Sequence, residues 1–347
     1  MPSLLAKRLP WTKAPLIINA PMANSATAPL ALAVKRAGGL GQIGSTNDLA
    51  ALETELQTLS TSSQLTRTSD GLLPIGVGFL AFLANLDRAA EIVRKHRPAV
   101  VWLFAANELG DYAAWAERAR QASPASMVWV QVGNVASAVR VAREARPDVL
   151  CVQGADAGGH GLARSAGLVA LLPEVRSALE REGLGDVMLV GAGGMADGRG
   201  AAAGLALGAE GVVMGTRFLG ARETKLHPVW REAVLAAKDG GQETVKTMVF
   251  DELRGESVWP EGYDGRGIVN ESSEDFRTGA GMEHVRKQFT EASQQADGGY
   301  GVGGKGRAAM WAGTGVGLVT KEQSAAEIVE EVREGIIKAL EEARARS

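Results

Sequence analysis

Eight short apolar runs, separated by seven longer stretches of helical periodicity, limit what this chain can fold into more than any other feature. The runs occupy 16–19, 40–43, 73–79, 99–104, 127–132, 149–153, 187–190 and 211–214. Between them the spacing predicts helices over 29–37, 48–59, 86–96, 111–121, 135–146, 166–182 and 198–207. Strand and helix alternating in this way build a parallel sheet, and eight units match a closed (β/α)₈ TIM barrel. The main competitor is an open doubly wound sheet. It would carry fewer strands and a glycine-rich phosphate turn after the first of them, where this chain has Ala20-Pro21-Met22-Ala23-Asn24. Asn47, Asn134 and Asp197 are expected to cap the helices that follow them. Arg97-Pro98 and Arg146-Pro147 stop two helices alike, because the residue before proline is pushed out of the α region.

After Thr216 the alternation ends. Residues 222–238 read as helix, 245–270 as a mixed stretch containing Trp259-Pro260, and 289–306 as polar and glycine-rich. The segment 321–346 reads as a charged amphipathic helix with Ile328, Val332, Ile336 and Leu340 on one side. The expected organisation is a barrel over 1–221, a smaller, mostly helical C-terminal addition over its mouth at 222–320, and a last helix at 321–347 packing back on the barrel. No fold is assigned to 240–305.

A net charge of −3 gives no basic footprint and argues against nucleic acid or an anionic membrane as partner. No run reaches the length of a membrane span, and the opening MPSLLAKRLPW lacks a secretory apolar core, so a soluble, cytoplasmic protein is expected. The single cysteine, Cys151, lies inside an apolar run and reads as core, not nucleophile. No ligand cluster suggests a metal.

In a parallel barrel the residues following each strand form the working face. Here they are the turn with Pro21, Met22 and Ala23, then Gln131, Gln153, Ala192-Gly193-Gly194, and Met214-Gly215-Thr216. Small and amide side chains at these ends make a floor for a flat ring. The loops after the last two strands are a common phosphate site. Gly193-Gly194, Asp197-Gly198-Arg199-Gly200 and Gly215-Thr216-Arg217 offer amides, a hydroxyl and cations there, against the plainer reading of turn glycines. Between the sixth and seventh strands, QGADAGGHG at 153–161 brings Gly158, Gly159 and His160 together. Glycines let backbone approach a planar ligand, and a histidine takes or gives a proton near neutral pH. A structural turn with a satisfied histidine is the alternative.

Four motifs carry a resemblance: APMAN at 20–24, VQGADAGGHG at 152–161, GAGGMADGRGAAAGLALGAEGVVMGTRF at 191–218, and WAGTGVGLV at 311–319. Together they closely resemble the nitronate monooxygenase family, formerly the 2-nitropropane dioxygenases. The resemblance implies FMN held noncovalently at the barrel mouth. Its ring would lie against Pro21, Met22 and Ala23 with Gln153 and Gly158 beside it, and its phosphate near Gly193, Gly194, Gly215 and Thr216. It further implies His160 as the base, and oxidation of an alkyl nitronate, or a nitroalkane, by dioxygen to a carbonyl compound and nitrite. Asp156 stands where many members have Glu. Many bacterial members also have a flavin-contacting asparagine after the third strand. This chain reads Gly76-Val77-Gly78-Phe79, which predicts a more open pocket on that side.

Other readings on a similar barrel are an NAD(P)H-dependent flavin enoyl reductase, a tailoring oxidase, and a flavin-binding protein without turnover. The sequence leaves the oligomeric state open. His96 and His227, each close before a proline, are read as helix caps or surface groups, and His284 as surface. Trp102, Trp115 and Trp129 are read as packing, and Trp311 as within reach of the cofactor. Lys305 and Arg307 are read as equally near the site or in a solvated turn.

Overall fold

The computed structural model describes residues 4–346. Eleven strands form in chain order: β1 (Ile17–Asn19), β2 (Gln42–Gly44), β3 (Leu73–Leu80), β4 (Pro98–Phe104), β5 (Met127–Val132), β6 (Val149–Gln153), β7 (Gly159–Leu162), β8 (Met188–Ala192), β9 (Val212–Met214), β10 (Thr244–Thr247) and β11 (Tyr263–Ile268). Eight of them make one parallel sheet in the order β1-β9-β8-β6-β5-β4-β3-β2. A parallel bridge from Ile18 to Leu40 brings its two ends together, which makes the sheet a barrel. The helices between the strands are α2 (Ala28–Arg36), α3 (Leu49–Thr61), α4 (Leu86–His96), α5 (Asp111–Ala122), α6 (Val135–Glu144), α7 (Leu168–Arg181) and α8 (Gly198–Ala206), preceded by α1 (Leu4–Arg8). The eight expected strands and seven expected helices are all present, their ends shifted by a residue or two.

Side chains on a strand alternate between faces, and the barrel separates two apolar populations accordingly. Ile18, Val100, Trp102, Trp129, Cys151 and Val190 point inward and pack with Leu5 and Leu9, so that α1 and the turn after it plug one end. Ile17, Val101, Val128, Leu150 and Leu189 point outward against the ring of helices. Because both faces are covered, each strand reads as a continuous apolar run.

The capping expectations hold in part. Asn134 accepts from the Ser137 amide, and Asp197 from the amides of Arg199 and Gly200. Ahead of α3, however, the cap is Asp48, which accepts from Ala51, and not Asn47. Arg97 and Arg146 do leave the right-handed α region before their prolines, but into left-handed conformations at φ 51° and 48°.

Beyond the barrel come α9 (Pro228–Ala236), α10 (Gly240–Glu243), α11 (Val249–Glu252), α12 (Glu271–Arg277), α13 (Met282–Ser293) and α14 (Ala325–Arg346). The helix expected from 222 starts only at Pro228, with His227 as a true cap accepting from the Val229 amide. Beside these helices, 240–305 supplies the strands β10 and β11, which join β7 in an antiparallel sheet of order β10-β11-β7. The stretch containing His160 is thus not all loop, since Gly159–Leu162 pairs with β11 and His160 faces Gly265 in register. The long helix α14 packs on α8 and α2. A Cβ on Gly198 would stand 2.4 Å from the Gly335 carbonyl carbon, so the two backbones touch there. Its Ile328, Val329, Val332 and Ile336 are buried, each contributing roughly 1.5–3 kcal/mol.

Candidate active site

A cavity of about 290 Å³ opens at the carboxyl ends of the barrel strands, and a narrower one of about 60 Å³ runs from it. Both are lined by Ala20, Trp102, Gln131, Gln153, Gly158, Gly215 and Thr216, so they form one continuous space. Strand parity selects these residues. Ala20, Gln131, Gln153, Ala192 and Gly215 each lie two positions beyond an inward-facing residue, which aims them along the barrel axis. Pro21, Met22, Ala23, Gly159 and His160 line the larger space, and Ala192, Gly193 and Gly194 the narrower one. The same parity turns the Met214 side chain outward against the helices, while its carbonyl accepts from the Ala20 amide.

Glycines at 158, 193, 194, 215, 313 and 315 line much of the narrow space. Gly193 and Gly194 hold φ of 103° and 74°, a left-handed region open to glycine. A Cβ on Gly158 would fall 2.3 Å from the Gly313 nitrogen, so this loop and the 311–315 segment approach as closely as backbones allow. The Gly313 amide donates to Thr216 Oγ1, while Asp156 accepts from the Thr314 amide and hydroxyl, consistent with a supporting role for that acid. The expected cations are elsewhere. Asp197 takes up the amides of Arg199 and Gly200 and pairs with the Arg199 side chain. Arg217 is buried and turned away, donating to Gln323 and Glu331.

The third strand corrects a further expectation. A Cβ on Gly78 would stand 2.5 Å from Pro21 Cβ, so the proline ring occupies the space that a longer side chain would need. The pocket is therefore filled on that side, not more open.

His160 lies at the rim, with its ring held on several sides. Its Nε2 is 2.6 Å from Asp251 Oδ1, a hydrogen bond in which an ionised carboxylate can only accept. Trp259 stacks on the ring at 3.7 Å with 11° between planes, and Trp311 leans on it at 4.6 Å. The Gln153 side chain donates to the His160 carbonyl, fixing the backbone as well. Trp259 is braced in turn by Phe82, Phe104 and Tyr263. Burial raises the Tyr263 phenol above its ordinary range and pushes the Cys151 thiol well up, which leaves that inward-facing cysteine a core residue.

Asp251, Trp259, Phe104, Ser45 and Trp230 were not anticipated at the site. Phe104 follows from parity, two residues beyond Trp102. Asp251 has no local signal, because it sits in the short helix α11 and reaches His160 only through the fold. Lys305 is exposed and Arg307 pairs with Asp275 and Glu271, so neither lines the cavity. Trp102 both packs against Trp129 and donates to Gln131 at the cavity floor.

A (β/α)₈ barrel with a pocket at the carboxyl ends of its strands, glycine-rich beside the last two, has the layout of a barrel enzyme's active face. Residues 113–335 match the family model described as nitronate monooxygenase. The chain is 43% identical to the nitronate monooxygenase npaC of Metarhizium robertsii, over 95% of this chain and 93% of that one. It is 38% identical to the nitronate monooxygenase of Neurospora crassa, over 94% and 90%. The protein belongs to the nitronate monooxygenase family, and is an oxidoreductase; membership implies a flavin cofactor. Among solved structures, FabK from Thermotoga maritima (TM-score 0.73, 24% identity, 99% and 98% covered) and nitroalkane oxidase from Streptomyces ansochromogenes (0.72, 23%, 95% and 98%) share the fold.

Proposed function

We propose that this protein oxidises small alkyl nitronates with dioxygen to a carbonyl compound and nitrite, and accepts nitroalkanes, on FMN bound at the barrel mouth. One observation carries the substrate class: among the described residues, His160 is the only ionisable side chain lining the larger cavity. A nitronate bears a single negative charge across its two oxygens, and one imidazolium is a sufficient partner for it. The apolar wall of Phe104, Leu219, Trp230, Trp259 and Trp311 suits an uncharged alkyl tail.

The broad and narrow parts of the cavity would take the ring and the phosphate of FMN. Gly193, Gly194, Gly215 and Thr216 would hold the phosphate through backbone amides and a hydroxyl, without a cationic side chain. Pro21, Met22 and Ala23 would hold the ring, with Gln131, Gln153, Gly158, Gly159 and Ala192 around it. FMN held there would supply the electron acceptor for the nitronate, with dioxygen as the final oxidant. The chain's own task is to orient the anion, exclude water with its tryptophans and move one proton. For a neutral nitroalkane, the imidazole of His160 takes the α-proton; the C–H electron pair becomes the C=N bond, and charge moves to the nitro oxygens.

His160→Asn tests this directly. It should keep FMN yet lower kcat/KM for nitroethane by about 10²- to 10⁴-fold, the usual contribution of a general base. Unaltered nitroethane turnover in the flavin-loaded variant would remove His160 from the role.

A further inference from the structure

The His160 ring has two nitrogens, and the fold spends one of them. Nε2 is hydrogen-bonded to Asp251, whose side chain is 6 % exposed and whose second oxygen, Oδ2, is buried without a hydrogen-bond partner. Among the described residues Nδ1 makes no hydrogen bond, although the ring lines the cavity. Trp259 lies flat on the imidazole at 3.7 Å, which fixes the plane in which both nitrogens point. Trp311 is the second aromatic ring against it, at 4.6 Å.

We propose that Asp251 is a positioning residue: it holds His160 in the Nε2–H tautomer, so that Nδ1 is the nitrogen that removes the α-proton of a neutral nitroalkane. The inference rests on the assignment of His160 as base made above. When Nδ1 takes the proton, the ring becomes an imidazolium with both nitrogens protonated. The Asp251 carboxylate then faces the new cation across an existing hydrogen bond, and the Trp259 face stacks against it. No proton needs to pass to Asp251. Without the carboxylate the tautomer is free, and the ring can present a protonated nitrogen to the substrate, where it is useless as a base. A nitronate supplied preformed has already lost that proton. The two substrates therefore separate the positioning role from any general damage to the site.

The test compares Asp251→Asn and Asp251→Glu with the parent protein, each loaded with FMN, on nitroethane and on ethyl nitronate. Asp251→Asn should lower kcat/KM for nitroethane about 10²-fold more than that for ethyl nitronate. The loss should lie in kcat and not KM, and Asp251→Glu should recover part of it. Equal losses on both substrates, or none on nitroethane, would overturn the proposal. Should the asparagine variant not fold, ¹⁵N-detected NMR of the parent protein reads the His160 tautomer: a proton on Nε2 supports the assignment and a proton on Nδ1 overturns it. If the parent itself turned over neither substrate, the reading of the function would fail before this one was reached.

Discussion

His96 ends α4 with its ring buried, 2 % exposed, Nδ1 facing Ser60 Oγ at 3.3 Å and Nε2 without a hydrogen bond but 4.0 Å from Glu53 Oε1. It was expected as a cap or a surface group and is neither. Burial holds its imidazole below the ordinary histidine value; Lys95 and Arg67 act the same way, and Glu53 opposes them. A group whose folded value is depressed binds more protons when the chain unfolds, so its stabilisation is present above about pH 6.5 and is lost as pH falls through the folded value. The urea midpoint should therefore fall between pH 7.5 and 5.5, and His96→Gln should make that fall shallower. Equal falls in the two proteins would contradict the assignment. At the same scale, single atoms explain what composition concealed. Gly78 is a glycine because Pro21 stands where its Cβ would be, and Gly265 because Trp311 does, 2.4 Å away.

Elements differ in how openly the sequence declares them. The barrel strands are covered on both faces, so each appears as an uninterrupted apolar run between turn residues, and their number alone suggests the barrel. The sheet at the mouth has no such mark. β7 is Gly-His-Gly-Leu, β11 carries glycines at 265 and 267, and the two pair across about a hundred residues. That pairing sets His160 beside α11 and the Trp259 turn, which is why the histidine was legible and its two closest neighbours were not. The helix α14 declared itself by period, whereas its seat did not. Gly198 and Gly335 meet backbone to backbone, so Gly198→Ala should push α14 away from α8 and cost about 1–3 kcal/mol, as overpacking does. A thermal melt would read this as a drop of several degrees; an unchanged melt would mean that the two helices part without cost.

For the molecule as a whole, the barrel supplies a rigid floor, and the segment after it supplies the histidine's companions and much of the apolar wall. No helix among the described residues is long and apolar enough to cross a membrane, and no group of three or more metal-ligating side chains occurs among them. The same barrel is shared with FabK, so fold alone does not choose the electron donor. The family and a cavity with one ionisable group do. The most direct measurement is to load the protein with FMN, remove oxygen, and mix it with ethyl nitronate and, separately, with NADPH while following the visible flavin band. The account predicts rapid bleaching by the nitronate, recovery with nitrite when oxygen is readmitted, and no comparable change with NADPH. Bleaching by NADPH with indifference to the nitronate would contradict it.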